Sequence, residues 1–216
     1  MKRCIHGLYG IVDDAHCDDL VGAGQAMLDS GCTVIQLRCK KTTITETKSA
    51  AGALQVACVR VGALLLVNDI VEIAAELDGV GVHIGQKDAH PRLVRSVVGP
   101  DRVIGVSTHD PEELADAHTW GADYVGFGPV FSTSTKDQPM EGQGLDALAA
   151  AVASSRIPVV AIGGITLETI GAVAGTGADA AAVIGDLYRG PSIVERGRAL
   201  GAAFELGRQS GSSTRH

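Results

Sequence analysis

Aromatic residues are scarce in this chain, 3% of 216 residues with a single tryptophan, so a core of any size must be built from Val, Ile, Leu and Ala. Clustered Lys and Arg are also missing, and the net charge is −7. That balance argues against binding a nucleic-acid backbone, although one local cationic pocket would still suffice for a small anion. The five cysteines (Cys4, Cys17, Cys32, Cys39 and Cys58) form no CxxC pair and are odd in number. A disulfide framework and a zinc cluster are therefore not expected, and reduced thiols are. The amino terminus, Met-Lys-Arg-Cys-Ile-His-Gly, lacks the apolar stretch of a signal peptide, and no run reaches membrane-spanning length. A cytoplasmic protein is expected.

What the chain has in abundance is glycine, 28 residues, and short runs of Val and Ile that alternate with Ala/Leu-periodic segments. Strands are predicted over 8–12, 34–37, 64–67, 81–84, 103–106, 124–127, 159–162 and 180–184. Helices are predicted over 20–30, 44–61, 71–77, 91–98, 111–120, 145–153, 167–174 and 192–206. Pro91 and Pro111 suit first helical turns, with Asp110 an N-cap, and Gly31, Gly99, Gly121 and Gly177 stand where helices stop. Continuous apolar strands signal a parallel sheet covered on both faces. Eight βα units in a chain of this length predict a single (β/α)8 barrel, a TIM barrel, over 1–208, followed by a disordered tail over 209–216. An open doubly wound sheet would gather its ligand turns at one switch point. Here polar residues follow strand after strand.

Those strand ends carry the chemistry. The run 126–136, Gly-Phe-Gly-Pro-Val-Phe-Ser-Thr-Ser-Thr-Lys, delivers hydroxyls and the Lys136 ammonium into a loop, a setting that suits a phosphorylated ligand. Alternation puts Gln36, Arg38 and Lys40 on one side of the second strand's end. Asp69 and Asp88 each stand before a predicted helix and could be N-caps. If they instead point at one centre, two hard oxygen ligands suit Mg²⁺ bridging to phosphate. Ser107 and His109 lack an acid partner and an oxyanion motif, so hydrogen bonding is a better reading than nucleophilic catalysis. His6, His16, His90, His118 and His216 look like surface positions. Glycine turns after the last two strands, at Gly163-Gly164 and Gly185, sit where such barrels hold phosphate.

In this order the pieces resemble thiamine-phosphate synthase. The resemblance runs from Gly7-Leu8-Tyr9 to Val183-Ile184. It rests on Gln-Leu-Arg-Cys-Lys at 36–40, Asn-Asp at 68–69, Gly-Val-His-Ile-Gly-Gln-Lys-Asp at 81–88 and Gly-Val-Ser-Thr-His at 105–109. Ala-Asp-Tyr-Val followed by the loop just described, at 122–136, and Ala-Ile-Gly-Gly-Ile at 161–165 complete it. The resemblance implies a Mg²⁺-dependent transferase that joins an aminopyrimidine diphosphate to a thiazole phosphate and releases pyrophosphate, by a dissociative displacement.

Carried over by position, Gln36, Arg38, Lys40 and Asn68 would hold the pyrimidine diphosphate, with Leu37 and Cys39 in the same binding run. Asp69 and Asp88 would hold the metal. Ser107 and Lys136 would contact the pyrimidine and its leaving group, and Arg38 and Lys40 would share in catalysis. Thr133, Ser134, Thr135, Gly163, Gly164, Val183, Ile184 and Gly185 would hold the thiazole phosphate. The expected partners are these small molecules, with self-association as a homo-oligomer left open, and neither nucleic acid nor membrane.

Four positions depart from the family pattern: Ile70 where a charged residue is common, Gly185 for serine, Val12 for threonine and Thr169 for asparagine. Two rivals remain at this level. One is a thiazole tautomerase-like isomerase on the same barrel. The other is a non-catalytic thiazole- or thiamine-phosphate binder, in which the aspartates would simply cap helices. Such isomerases tend to lose the metal and diphosphate residues, which this chain keeps.

Overall fold

A computed structural model describes residues 5–133 and 141–213. Its elements alternate strictly. The first half runs β1 (Gly7–Asp13), α1 (Leu20–Asp29), β2 (Val34–Arg38), α2 (Ile44–Val61), β3 (Leu64–Asn68), α3 (Val71–Glu76), β4 (Gly81–Ile84) and α4 (Pro91–Val98). The second half runs β5 (Ile104–Thr108), α5 (Pro111–Thr119), β6 (Tyr124–Phe127), α6 (Gly144–Ser154), β7 (Val159–Ile162), α7 (Ile170–Gly175), β8 (Ala180–Val183) and α8 (Ile193–Ser213), with a 3₁₀ turn, Gly185–Tyr188, before α8. Each strand pairs in parallel with the next, and β8 pairs with β1, so the sheet closes on itself. This is the expected (β/α)8 barrel.

Two cores follow from strand alternation. Side chains on one face of the strands fill the barrel: Tyr9, Ile11, Val34, Leu64, Leu66, Tyr124 and Val160. Those on the other face, such as Val12, Ile35, Leu37, Leu65, Val67 and Val125, pack against the helices. The barrel interior admits two large rings because Gly105 on β5 has no side chain; a Cβ there would overlap the Tyr124 ring.

Helix ends obey local chemistry. Thr43 and Glu46 form a reciprocal capping box at the start of α2, and Gly62 ends that helix in the left-handed region. Asp110 caps α5 by accepting from Glu113 N–H, as its position predicts. Two ends differ from the sequence reading by more than two residues. α7 starts at Ile170, not at 167, because Thr166 N–H donates to Thr169 Oγ1 at 2.9 Å and the chain turns once more before the helix. α8 does not stop at 206 but continues to Ser213, into the stretch expected to be a disordered tail. Its Gly207 and Gly211 lie against Gly171 and Gly175 of α7; a Cβ on Gly211 would stand 2.7 Å from the Gly175 carbonyl oxygen. These glycines are contact points between two helices, not breakers.

Candidate active site

Ten of the residues expected at the site line one cavity of roughly 320 Å³ at the carboxyl ends of the strands: Gln36, Arg38, Asn68, Ser107, Thr133, Gly163, Gly164, Val183, Ile184 and Gly185. The alternation argument for β2 therefore holds for Gln36 and Arg38. Gln36 is buried and donates to Asn68 Oδ1 at 3.2 Å, tying β2 to β3. Arg38 Nη1 lies 2.5 Å from Asp13 Oδ2.

Beside this cavity is a charged flank. Lys40 Nζ is 2.6 Å from Asp69 Oδ2. Asp69 follows β3 with φ of 62°, a left-handed backbone that a non-glycine residue adopts only where its surroundings impose it. Asp88 Oδ2 accepts from Gly85 N–H at 2.7 Å, across the turn after β4. Burial pushes the Asp88 carboxyl up from its ordinary value, and the neighbouring Asp69 carboxyl pushes in the same direction; Gly85 N–H and Lys40 oppose them. Asp69 therefore lies close enough to Asp88 to disfavour ionisation of the Asp88 carboxyl. Neither is a helix cap: α3 is preceded by Ile70 and α4 is capped by His90.

The opposite flank is backbone. Gly163 and Gly164 follow β7 with φ of 101° and 62°. A Cβ on Gly163 would lie 2.5 Å from Pro129 Cβ, and one on Gly164 2.7 Å from the Ser132 carbonyl oxygen. The turn can approach the β6 loop this closely only as glycine. Val130 and Phe131 N–H groups bond to the Ile162 and Gly163 carbonyls, so the β6 and β7 loops form one surface.

Between the flanks a hydrogen-bonded chain crosses the barrel interior. Ser107 Oγ lies 2.9 Å from His83 Nε2, His83 Nδ1 lies 2.7 Å from Tyr124 Oη, and Tyr124 Oη lies 3.0 Å from Tyr9 Oη. Burial raises the pKa of both phenols, so they stay protonated and act as hydrogen-bond groups. Ser107 thus has a histidine partner, but that histidine is backed by a phenol and not by a carboxylate. His109 lines the same cavity and pairs with Glu113, 2.8 Å from its Nδ1. No Ser-His-acid triad forms among the described residues.

Comparison with known proteins bears directly on this arrangement. A family model described as thiamine monophosphate synthase matches residues 8–187. The chain belongs to that family. It is 43% identical over 204 residues to thiamine-phosphate synthase of Myxococcus xanthus, covering 94% of each chain. It is 40% identical over 203 residues to that of Methylobacillus flagellatus, covering 93% of this chain and 96% of the other. A thiamine phosphate pyrophosphorylase structure from Pyrococcus furiosus superimposes with a TM-score of 0.86 at 32% identity, covering 95% and 98%. Family membership makes the chain an enzyme, a transferase of thiamine biosynthesis.

Leu37 and Cys39, expected in the same binding run, do not line the cavity. Leu37 is buried in the layer between strands and helices, and Cys39 packs half-buried against the same layer. Pleating sends them away from Gln36 and Arg38. Ser134, Thr135 and Lys136 lie outside the described residues. Three participants went unread. Asp13 was missed because the first strand was read as ending at Val12. His83 was seen without a role, and Tyr124 was read only as an apolar strand residue.

Asp69 and Asp88 fit the expected Mg²⁺. They are hard oxygen donors, their mutual repulsion would be relieved by a cation, and Lys40 already provides one positive charge there. No group of three or more His, Cys, Asp or Glu side chains gathers among the described residues. Substrate oxygens and water would have to complete the shell, as is usual for Mg²⁺. No helix among the described residues is long and apolar enough to cross a membrane.

Proposed function

We propose that this chain condenses 4-amino-2-methyl-5-(diphosphooxymethyl)pyrimidine with thiazole phosphate to give thiamine phosphate and pyrophosphate. One observation carries the reading: a single cavity is lined by Arg38 on one flank, with the Lys40–Asp69 pair and Asp88 beside it, and by glycine turns after β7 and β8 on the other. Those are binding surfaces for two separate anions, a diphosphate and a monophosphate, with a ring-sized space between them.

In the reaction the C–O bond to diphosphate breaks first, its electrons leaving with the diphosphate, and the thiazole nitrogen's lone pair then forms a bond to the cationic pyrimidine methylene. A neutral ring nitrogen needs no general base, which suits a site with no Ser-His-acid triad among the described residues. The leaving group departs with about three negative charges. Each charge pair at 4 Å is worth roughly 4 kcal/mol at an effective dielectric near 20, so several cations are required. Arg38 and Lys40 would supply two, and Lys136, which lies outside the described residues, would supply a third. Mg²⁺ held by Asp69 and Asp88 would neutralise diphosphate charge when bound. Gln36 and Asn68, which hold each other, would orient the pyrimidine diphosphate, and Ser107, fixed by His83, would contact the pyrimidine ring. The glycine turns would fix the thiazole phosphate so that its nitrogen lies in line with the methylene. Paired carboxylates and Lys40 would have no task in a tautomerase or a passive binder.

The test is to mix both substrates with Mg²⁺ and follow pyrophosphate and thiamine phosphate together. Appearance of both in equal amounts supports the reading. Isomerisation of the thiazole alone, or binding without product, would overturn it.

A further inference from the structure

β1 ends in an acid that solvent cannot reach: Asp13 is 0% exposed. A buried ionised carboxylate is tolerated only with partners on both oxygens. Oδ2 lies 2.5 Å from Arg38 Nη1, and Oδ1 accepts from Ala15 N–H at 2.8 Å, with His16 Nδ1 at 3.8 Å. The surroundings are themselves fixed. The His16 ring stacks on Tyr188 at 5.3 Å between centroids, and Tyr188 Oη accepts from Asp13 N–H at 3.4 Å. Asp13 and Arg38 face each other in the register of β1 and β2, so the pairing is built into the sheet.

Arg38 is the other half of this arrangement. Its side chain is 22% exposed and lines the cavity. A guanidinium has five N–H donors in a rigid fork. Asp13 engages one nitrogen, which leaves the remaining donors for a ligand. A long side chain that would otherwise sample many rotamers is thereby held in one before any ligand arrives, which lowers the entropy cost of binding.

Building on the function proposed above, we infer that Asp13 is a positioning residue: its carboxylate aims the Arg38 guanidinium at the diphosphate and does not itself touch substrate. Its effect belongs to the diphosphate flank and passes through Arg38. The glycine flank does not depend on it.

The experiment is titration calorimetry of pyrophosphate in Mg²⁺, run beside thiazole phosphate, on the full chain. Asp13→Asn is expected to weaken pyrophosphate binding about tenfold and leave thiazole phosphate binding unchanged. Asp13→Glu, which keeps the charge, is expected to recover most of that loss. On an Arg38→Ala background, Asp13→Asn is expected to add nothing, because the two act as one unit. Wild-type pyrophosphate affinity in Asp13→Asn would overturn the proposal. So would an equal loss for both ligands, or a loss undiminished without Arg38. Should Asp13→Asn not fold, arginine side-chain NMR of the wild type decides: separate, slowly exchanging Nη–H signals for Arg38 are expected, and a freely averaged signal would overturn it. Pyrophosphate binding is read without turnover, so this result stands apart from whether the two substrates are joined.

Discussion

Lys40 and Asp69 meet at the barrel mouth with 2.6 Å between ammonium nitrogen and carboxylate oxygen, although they lie at the ends of different strands. The pair is half-exposed, and exposed pairs contribute about 0–1 kcal/mol to folding. Its value lies in the site. Lys40→Ala is expected to lower kcat/KM about a hundredfold while shifting stability by less than about 1 kcal/mol. Steady-state kinetics with a urea titration checks both halves. A large stability loss would make the pair structural.

Asp88 accepts one backbone N–H and otherwise faces Asp69. Asp88→Asn is expected to cut turnover about a hundredfold or more, and excess chelator should do the same to the wild type. Circular dichroism should show an intact barrel. Full activity in either experiment would remove the metal from the reading.

Tyr124 holds two partners at once, His83 and Tyr9, in the barrel interior. Tyr124→Phe leaves both short of a partner and should cost about 1–3 kcal/mol of stability. Because His83 also contacts Ser107, kcat should fall as well. Thermal unfolding and single-turnover kinetics would show the two losses together. Unchanged kinetics would confine the chain to a structural role.

Gly164 adopts φ of 62° with the Ser132 carbonyl 2.7 Å from where a Cβ would stand. Gly164→Ala is expected to cost about 1–2 kcal/mol in the left-handed backbone alone. It should raise the KM for thiazole phosphate about tenfold and leave that for the diphosphate unchanged. Equal changes in both would contradict the division of the mouth.

Asp14 braces the loop after β2. Burial alone would raise its pKa, but N–H groups of Lys41, Thr42 and Lys40 and the Thr42 hydroxyl outweigh burial and hold the carboxyl down at about 2. An acid whose folded pKa lies below its unfolded value of about 3.9 adds stability above that value. The contribution fades as the pH falls from about 4 to about 2. Asp14→Asn lacks this titration, so its stability deficit at pH 6 should shrink as acid is added. Urea titrations across that range measure it, and a constant deficit would refute the role.

The barrel was legible because its strands are apolar on both faces and its helix ends carry local signals such as Pro91, Asp110 and Gly121. These are short-range rules. What was missed depends on distance. Tyr9 and Tyr124 are far apart in the chain, and nothing near either residue says that they meet. The contact of Gly207 and Gly211 with α7 is likewise set by two helices meeting, which no local signal announces. Leu37 and Cys39 were carried along with a binding run in which only alternate side chains face the cavity. Asp13 was lost by ending a strand one residue early.

The acidic and cationic flank comes from β2 to β4, and the glycine flank from the loops after β6, β7 and β8. In the proposed reaction each anion would therefore be recognised by its own half of the polypeptide. Substitutions in the second half could retune the acceptor without disturbing donor activation. A molecule spanning both halves, carrying an anionic group at each end, should inhibit far better than either fragment alone.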